Sequence, residues 1–288
     1  MRGVTTAFVF AGGGSLGAIE VGMLQALVER VAPPDLVVGA SAGAINAAYY
    51  AGRPDAEGVE RLVAIWRRLR STDVFPLSPL HGLLGFVGRR RSLLDAAPLR
   101  RLLARELPYQ RLEEARVPCR IVATNVLDGS EVALSSGPVV DALLASTAIP
   151  GVFPPVELDG KHLFDGGISS NTPLSTAVEL GAKRIVVLPT GFSCALTKPP
   201  SGVVAMVLHA LTLLIARQLV IDVLRWREKV EIVVVPPLCP VESSPYDFSA
   251  SEALIRRAAT STRTWLATGG LERTDVPHEL TPHDHLMV

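Results

Sequence analysis

The sequence of 288 residues is poor in cysteine and carries no net charge. Its three cysteines, Cys119, Cys194 and Cys239, are far apart and include no C-x-x-C pair, which indicates buried apolar side chains rather than a zinc site. Lysine plus arginine and aspartate plus glutamate each number 28, so the chain lacks the excess positive charge that neutralises nucleic-acid phosphates. We therefore expect no nucleic-acid partner, no metal ion or cofactor, and the reducing cytoplasm as the compartment.

Charged residues and long apolar runs are also scarce. Charged side chains make up 19% of the chain against 48% hydrophobic ones, and the mean hydropathy is +0.34, which excludes a disordered chain and a charged coiled coil. The most apolar stretch, Val203–Ala216, is interrupted by His209 and is shorter than the roughly 20 residues that span a bilayer. The apolar residues Val4–Ala11 lead into glycines instead of a signal-peptide cleavage site, and we interpret them as the first strand.

Strand and helix signals alternate along most of the chain. Strands are predicted at residues 4–10, 36–38, 120–126, 156–158, 161–164, 184–188 and 231–235. Helices are predicted at residues 18–30, 42–51, 57–69, 95–107, 173–180, 203–224 and 250–267, and Pro173 is expected as the first residue of its helix. This alternation is typical of a three-layer α/β/α fold, in which helices cover both faces of a mainly parallel sheet. We predict one domain over residues 1–268, with an irregular loop or lid at residues 74–94 and a linker or surface loop at residues 190–202, and a tail over residues 269–288.

The first predicted strand leads into the glycine-rich segment Gly12–Gly17. Consecutive glycines let the backbone approach a ligand closely, and the start of the following helix supplies unpaired N–H groups and a positive dipole end. The segment is therefore a candidate cradle for an anion or an oxyanion. It also fits the G-x-G-x-x-G pattern of dinucleotide-binding folds, but such folds need an acidic residue at the end of the second strand, whereas Asp35 precedes that strand.

The second predicted strand leads into the segment Gly39–Gly43, which fits G-x-S-x-G between a strand and a helix. In that setting the serine sits on a sharp turn and needs small neighbours, and every residue of the segment around Ser41 is glycine or alanine. Gly39 and Gly43 would then form the elbow of a nucleophile, with the helix dipole favouring negative charge on the substrate. The alternative is a glycine-rich turn in which Ser41 is an ordinary helix cap.

No histidine occupies the position expected for the base of such a serine. The six histidines lie in loops, in a hairpin, in the apolar helix or in the tail. Asp165 follows a predicted strand and precedes two glycines, so its carboxylate could contact Ser41 directly as the base, although the same pattern also describes a simple turn. The glycine segment, the serine and Asp165 all fall at carboxyl ends of strands, which is the edge where sites form in open α/β sheets.

Together these motifs resemble those of the patatin-like phospholipase family, and we interpret the chain as a single-domain member of the bacterial type. Four ordered blocks carry the resemblance. The first two are an oxyanion motif at Gly12–Gly17 and a serine elbow at Gly39–Gly43. The other two are an Ala-Ser block with a following Phe-x-Pro at residues 145–154, and the motif D-G-G-x-x-x-N-x-P at residues 165–173. The family commonly has arginine or lysine where this chain has Leu16, a change that leaves the backbone donors of the glycine segment intact.

The resemblance implies the patatin-like fold and a lipid acyl hydrolase with a Ser-Asp dyad. In that mechanism Asp165 accepts a proton as Ser41 attacks an ester carbonyl, and water then hydrolyses the acyl-enzyme. The implied substrates are phospholipids, lysophospholipids or simpler acyl esters. Backbone amides of the glycine segment would form the oxyanion hole, for which the candidates are Gly12, Gly13, Gly14 and Ser15.

Two other function classes stay open. An acyltransferase or thioesterase could use the same elbow on acyl-CoA, and a non-catalytic scaffold could retain the hydrolase shape, for which Leu16 is the only hint in the sequence. The segment 74–94 combines apolar residues with the basic run Arg89–Arg91. It is therefore either a lid that settles on an anionic membrane as a peripheral contact, or a partly buried loop with solvated arginines.

Overall fold

The computed structural model describes residues 5–75, 92–191, 199 and 202–281. Within these ranges eight strands form one sheet: β1 (Thr6–Phe10), β2 (Leu36–Ala40), β3 (Cys119–Asn125), β4 (Glu131–Leu134), β5 (Val156–Leu158), β6 (Lys161–Asp165), β7 (Arg184–Leu188) and β8 (Glu231–Val234). The helices in the same ranges are α1 (Gly17–Leu27), α2 (Ser41–Gly52), α3 (Ala56–Arg68), α4 (Ser71–Val74), α5 (Ala97–Glu106), α6 (Val139–Ser146), α7 (Gly167–Ser170), α8 (Leu174–Glu179), α9 (Val203–Trp226) and α10 (Ser251–Ala267).

The sheet is mixed, with a parallel centre. β3, β2, β1, β7 and β8 lie side by side and run parallel. β4 and β6 each pair antiparallel with β3, and β5 pairs antiparallel with β6. The predicted α/β fold with a mainly parallel sheet is therefore confirmed, and its antiparallel part consists of the strands that follow β3.

Alternate residues of the central strands enter two separate cores. Along β1, Phe8 and Phe10 pack into one apolar cluster, whereas Ala7 and Val9 pack into the other. Residues of α1, α2, α3, α5, α6 and α10 complete the first cluster, and residues of α8 and α9 complete the second. Because such strands are buried on both faces, they appear in the sequence as continuous apolar runs without polar alternation.

The carboxyl ends of β2 and β6 meet beside β3. β2 pairs with residues 119–122 of β3 and β6 with residues 123–125, while β4 pairs with residues from both stretches. β2 and β6 therefore lie end to end along one side of β3, and they approach each other from opposite directions. A Cβ atom added at Gly166 would lie 3.3 Å from the Cβ atom of Ala40, so the residues that follow β6 are in close contact with the end of β2. The junction places the residues at the two strand ends next to each other.

The predicted central elements are present, with small shifts at their ends. α1 ends at Leu27 instead of Arg30, β2 continues to Ala40, and α8 begins at Leu174, after the Pro173 that was expected as its first residue. The exact ends of helices and strands depend on capping contacts with other parts of the chain, and the apolar periodicity of the sequence carries no information about those contacts.

Two predicted segments lie largely outside the described residues. These are the lid or loop at 74–94 and the linker at 190–202. The described part of the tail, 269–281, contains two short 3₁₀ turns, and its Leu280 is buried in the second core. No helix in the described part of the chain is long and apolar enough to cross a membrane.

Candidate active site

Ser41 occupies the sharp turn between β2 and α2. Its φ of 52° lies in the left-handed region, which residues other than glycine enter only under local strain. The preceding Ala40 is still extended, with φ −125° and ψ 144°, so the chain changes direction within one residue. Ser41 is consequently partly exposed at the start of the helix, in the geometry expected for a serine elbow.

Gly39 and Gly43 allow α2 to pack directly on the sheet. A Cβ atom at Gly39 would lie 2.6 Å from the carbonyl oxygen of Gly43. A Cβ atom at Gly43 would lie 2.7 Å from the carbonyl carbon of Phe10 and would clash with the carbonyl oxygen of Ala11. Because these obstacles are backbone atoms, no side-chain movement can relieve the clashes, and the two glycines set the position of the turn that carries Ser41.

Asp165, the last residue of β6, is hydrogen bonded to Ser41. The Ser41 Oγ atom donates to the Oδ2 atom of Asp165 over 2.7 Å. The other carboxylate oxygen, Oδ1, accepts a hydrogen bond of 2.8 Å from the N–H group of Gly167. The backbone N–H of Asp165 donates to the carbonyl oxygen of Ala148 over 3.0 Å, and its carbonyl oxygen accepts from Thr124 Oγ1 over 2.8 Å. Both the backbone and the carboxylate are therefore held in place.

Burial raises the pKa of Asp165 from 3.8 to about 6. The residue is 6% exposed, and its loss of hydration outweighs the hydrogen bonds from Ser41 and Gly167, which favour the charged form. A carboxylate with this pKa is ionised at neutral pH, yet it is a stronger base than an exposed aspartate. In the described part of the chain, no histidine is hydrogen bonded to Ser41 or Asp165.

Of the four backbone amides expected in the oxyanion hole, two donate hydrogen bonds within the described part of the chain and two do not. The N–H group of Gly12 donates to the carbonyl oxygen of Asn171 over 2.9 Å, and that of Ser15 donates over 2.7 Å to a carbonyl oxygen in the loop after β8. The hydrogen bonds of the described residues include none from the N–H groups of Gly13 and Gly14. These two amides are thus the pair available to a ligand.

Residues from distant parts of the chain hold the glycine segment. The carbonyl oxygen of Gly12 accepts hydrogen bonds from Asn171 Nδ2 over 3.1 Å and from Thr190 Oγ1 over 2.8 Å. On the other side, the hydroxyl of Ser15 donates to the carbonyl oxygen of Ser244 over 3.0 Å. Because the segment is fixed at both ends, its two free N–H groups are pre-oriented, which is the arrangement that electrostatic catalysis needs.

Ser146 supports the elbow, although the sequence contains only a weak signal for it. Its Oγ atom accepts the N–H of Ser41 over 2.9 Å and donates to the carbonyl oxygen of Val122 over 2.5 Å. The side chain thus ties the strained turn to β3. The Ala-Ser block of the family resemblance contains Ser146, whereas Thr190 lies in a loop-like stretch that offers no signal at all.

An apolar groove adjoins the serine. Its volume is about 810 Å³ including the part open to solvent, and Gly14 and Ser41 contribute to its lining together with apolar residues of α2, α3 and α5. Aromatic residues also border it, and the rings of Phe75 and Phe153 stack with their centroids 5.8 Å apart. The groove can therefore hold a hydrocarbon chain while the polar group at the end of that chain reaches Ser41.

Two further residues near the elbow are buried. Leu16, at the position where the family commonly has a basic residue, is fully enclosed in the first core, so this chain uses the position for packing. Burial raises the pKa of Glu20, on α1, well above its ordinary value, and Asn46 Nδ2 donates a hydrogen bond of 2.7 Å to its carboxyl group.

Among the described residues, no three acidic, histidine or cysteine side chains are placed to hold a metal ion.

Comparison with known proteins identifies relatives over the part of the chain that contains this site. A family model described as Patatin-like phospholipase matches residues 8–178. Human patatin-like phospholipase domain-containing protein 6 is 28% identical over 193 residues, which cover 66% of this chain and 14% of that protein. An NTE family protein of Mycobacterium tuberculosis is 32% identical over 185 residues, which cover 63% of this chain and 48% of that protein. The chain thus matches less than half the length of these curated relatives.

The fold is also found among solved structures. Human GIVD cytosolic phospholipase A2 superposes with a TM-score of 0.51 at 13% identity, and the match covers 94% of this chain and 60% of that one. This similarity concerns the fold alone. The matched family model extends from β1 to α8 and includes the elbow, the D-G-G motif and most of the sheet. The chain therefore belongs to the patatin-like phospholipase family.

Proposed function

We propose that the chain is a lipid acyl hydrolase of the phospholipase A, lysophospholipase or carboxylesterase type, with Ser41 as nucleophile and Asp165 as general base. The observation that carries the proposal is the 2.7 Å hydrogen bond from Ser41 Oγ to Asp165 Oδ2. It supports a dyad because a base in direct contact with the nucleophile, with its pKa raised to about 6, needs no intervening imidazole. The apolar groove and the family membership support a lipid substrate.

The first half of the reaction forms an acyl-enzyme. Ser41 Oγ attacks the ester carbonyl carbon while Asp165 Oδ2 takes the hydroxyl proton, so that a tetrahedral oxyanion and a neutral Asp165 result. The amides of Gly13 and Gly14 donate hydrogen bonds to the oxyanion. When the intermediate collapses, the alcohol leaves with the proton from Asp165, and the acyl group stays on Ser41.

The second half returns the enzyme to its initial state. A water molecule attacks the acyl carbon and passes a proton to Asp165. The attack turns the acyl carbonyl oxygen into a second oxyanion, which the same amides bind. Collapse breaks the bond to Ser41 Oγ, which recovers the proton from Asp165, and the fatty acid is released. Loss of one such oxyanion donor costs about 3 kcal/mol in known enzymes, so the amides of Gly13 and Gly14 should contribute strongly to the rate.

Measurement of ester hydrolysis with three variants tests this proposal. We expect Ser41→Ala and Asp165→Asn each to lower kcat/KM for p-nitrophenyl butyrate by about 10³-fold or more, with unchanged circular dichroism. Ser130→Ala removes an exposed hydroxyl in the turn before β4 and is the matched control, for which we expect the wild-type rate. Wild-type activity in folded Ser41→Ala protein would refute the dyad.

A comparison of acyl-CoA, lysophospholipid and simple-ester turnover by the wild type separates the alternative functions. A thioesterase or acyltransferase would share the acyl-enzyme but would turn over acyl-CoA faster than a lysophospholipid or a simple ester. A scaffold would cleave none of these substrates. We expect ester and lysophospholipid cleavage to exceed acyl-CoA cleavage.

A further inference from the structure

The apolar groove has a direction that α2 defines. Ser41, Ile45 and Tyr49 all line the groove, and because they are four residues apart they lie on one face of the helix. At a rise of 1.5 Å per residue, the helix covers about 12 Å between Ser41 and Tyr49. The groove therefore runs along α2, with the nucleophile at one end and Tyr49 at the other.

α5 lines the same groove as α2 and forms another wall of it. At its first turn, Leu99 borders the groove together with Thr147, which lies at the nucleophile end next to the serine that binds the elbow. Just past its last turn, Tyr109 Oη donates a hydrogen bond of 2.8 Å to the carbonyl oxygen of Ala48, in the C-terminal half of α2. Glu106, in the last turn of α5, therefore lies at the far end of the groove.

The far end of the groove is charged. Among the described lining residues Glu106 is the charged one, and its carboxylate approaches Arg105 Nε at 2.8 Å and Arg68 Nη2 at 3.6 Å. The Glu106 side chain is 20% exposed, so water reaches this cluster. An alkyl chain that extends over such a cluster displaces water from charged groups, which offsets the gain from covering the chain. The wholly apolar part of the lining thus ends at Glu106, although the neighbouring Leu107 also lines this end of the groove.

We propose that the groove holds the acyl chain of the substrate, with its carbonyl carbon at Ser41 and its methyl end at Glu106, and that this limits the preferred chain to about nine or ten carbons. An extended alkyl chain advances about 1.3 Å per carbon, because its bonds of about 1.5 Å run in a zigzag. About 12 Å of apolar groove along α2 therefore holds about nine carbons. This inference rests on the proposed hydrolase function and adds the substrate's chain length to it.

The first test is a chain-length profile. Covering one methylene in the groove strengthens binding about fourfold. We expect kcat/KM for p-nitrophenyl esters to rise by about this factor per methylene up to about ten carbons and then to level off or fall. A profile that is flat, or one that keeps rising to sixteen carbons, would overturn the inference.

Two substitutions should shift the profile in opposite directions. Ile45→Trp places a bulky ring halfway along α2, about 6 Å from the nucleophile, and should move the optimum to about five carbons. Glu106→Leu replaces the carboxylate by an apolar side chain and should move the optimum to twelve or more carbons. Glu57→Leu is the matched control, because it removes a carboxylate on α3 that is paired with Arg61 and lies outside the groove, and its profile should equal that of the wild type.

A binding experiment keeps this inference separate from the proposed catalysis. Affinity of the folded Ser41→Ala protein for the same ester series, measured calorimetrically, should increase up to about ten carbons and then level off. This result without any ester cleavage in the wild type would leave the groove inference standing and refute the hydrolase. Ester cleavage with an affinity profile that does not depend on chain length would leave the hydrolase standing and refute the groove inference.

Discussion

The carboxylate of Asp165 is subject to two opposing effects. Burial disfavours its charge, whereas the hydrogen bonds from Ser41 and Gly167 favour it, and burial has the larger effect on the pKa. The same residue would therefore be expected to influence both the activity and the stability of the protein. Each influence has its own dependence on pH.

Activity should follow the ionised fraction of Asp165. Only the carboxylate can accept the Ser41 proton, so with a pKa of about 6 we expect kcat/KM to fall tenfold per pH unit below pH 6 and to be level from pH 7 to 8.5. A pH series with p-nitrophenyl butyrate measures this, since kcat/KM reports the free enzyme. An inflection near pH 4, as for an exposed aspartate, would contradict the account.

Stability should show the opposite trend with pH. Because the folded pKa of about 6 lies above that of the unfolded chain, the folded state holds more protons between pH 4 and pH 6, and stability is lost as the pH rises through this range. The full loss is about 2–3 kcal/mol above pH 6. We expect Asp165→Asn to unfold with a free energy about 2 kcal/mol greater than the wild type at pH 7.5, in urea titrations.

The control for this measurement is the same comparison at pH 4. There the wild-type Asp165 is protonated in the folded state, so the two proteins should have nearly equal stability. Glu20 also has a raised pKa, but it is present in both proteins and its effect cancels in the difference. An equal stability difference at both pH values would show that Asp165 acts through packing and not through its charge.

At the scale of single residues, the sequence contains signals for Ser41 and Asp165, the proposed dyad, but not for the contacts that hold them. Small neighbours around Ser41 and the glycines after Asp165 mark both residues, because close packing at a turn restricts which residue types fit. The hydrogen bonds that the backbone N–H groups of Gly12 and Ser15 donate to distant carbonyl oxygens could not be predicted. The hydroxyl of Ser15 bonds to Ser244, which is 229 residues away, and no local pattern encodes such a pairing.

At the scale of elements, α2 positions Ser41, the proposed nucleophile, by lying against the backbone of β1. Its first turn approaches β1 so closely that only glycine fits at position 43. The neighbouring elements were predictable because continuous apolar runs, caps and glycine stops are local signals. The exact end of β2 was not, because Ala40 joins the sheet through pairing with Val122 of β3.

Gly43→Ala should separate misplacement of the elbow from loss of stability. The added Cβ atom clashes with backbone atoms of β1, so we expect α2 to shift and kcat/KM to fall about 100-fold or more, since displacements near 1 Å cost about that much. Gly181→Ala is the matched control. The backbone at Gly181 has a φ of 89°, which strains an alanine, but the added Cβ atom meets no other atom within 4 Å. The substitution should therefore cost about 1 kcal/mol of stability while activity is retained. Equal activity in both variants would contradict the role of this close packing.

At the scale of the whole molecule, the sheet converts three separate sequence motifs into one site. The convergence of motifs at carboxyl strand ends was predictable, because parallel strands share that edge. The end-to-end junction of β2 and β6 was not, since it depends on how the antiparallel strand is aligned with β3. That alignment accounts for the contact between two residues 124 positions apart.

Covalent labelling of the intact protein with a fluorophosphonate tests the central claim most directly, because the reagent reacts fastest with an activated serine beside a competent oxyanion hole. Peptide mass spectrometry should locate a single stoichiometric adduct on Ser41, and its formation should slow about 100-fold or more in Asp165→Asn. An unlabelled Ser41 in the folded protein, or labelling that proceeds at the same rate without Asp165, would contradict the account.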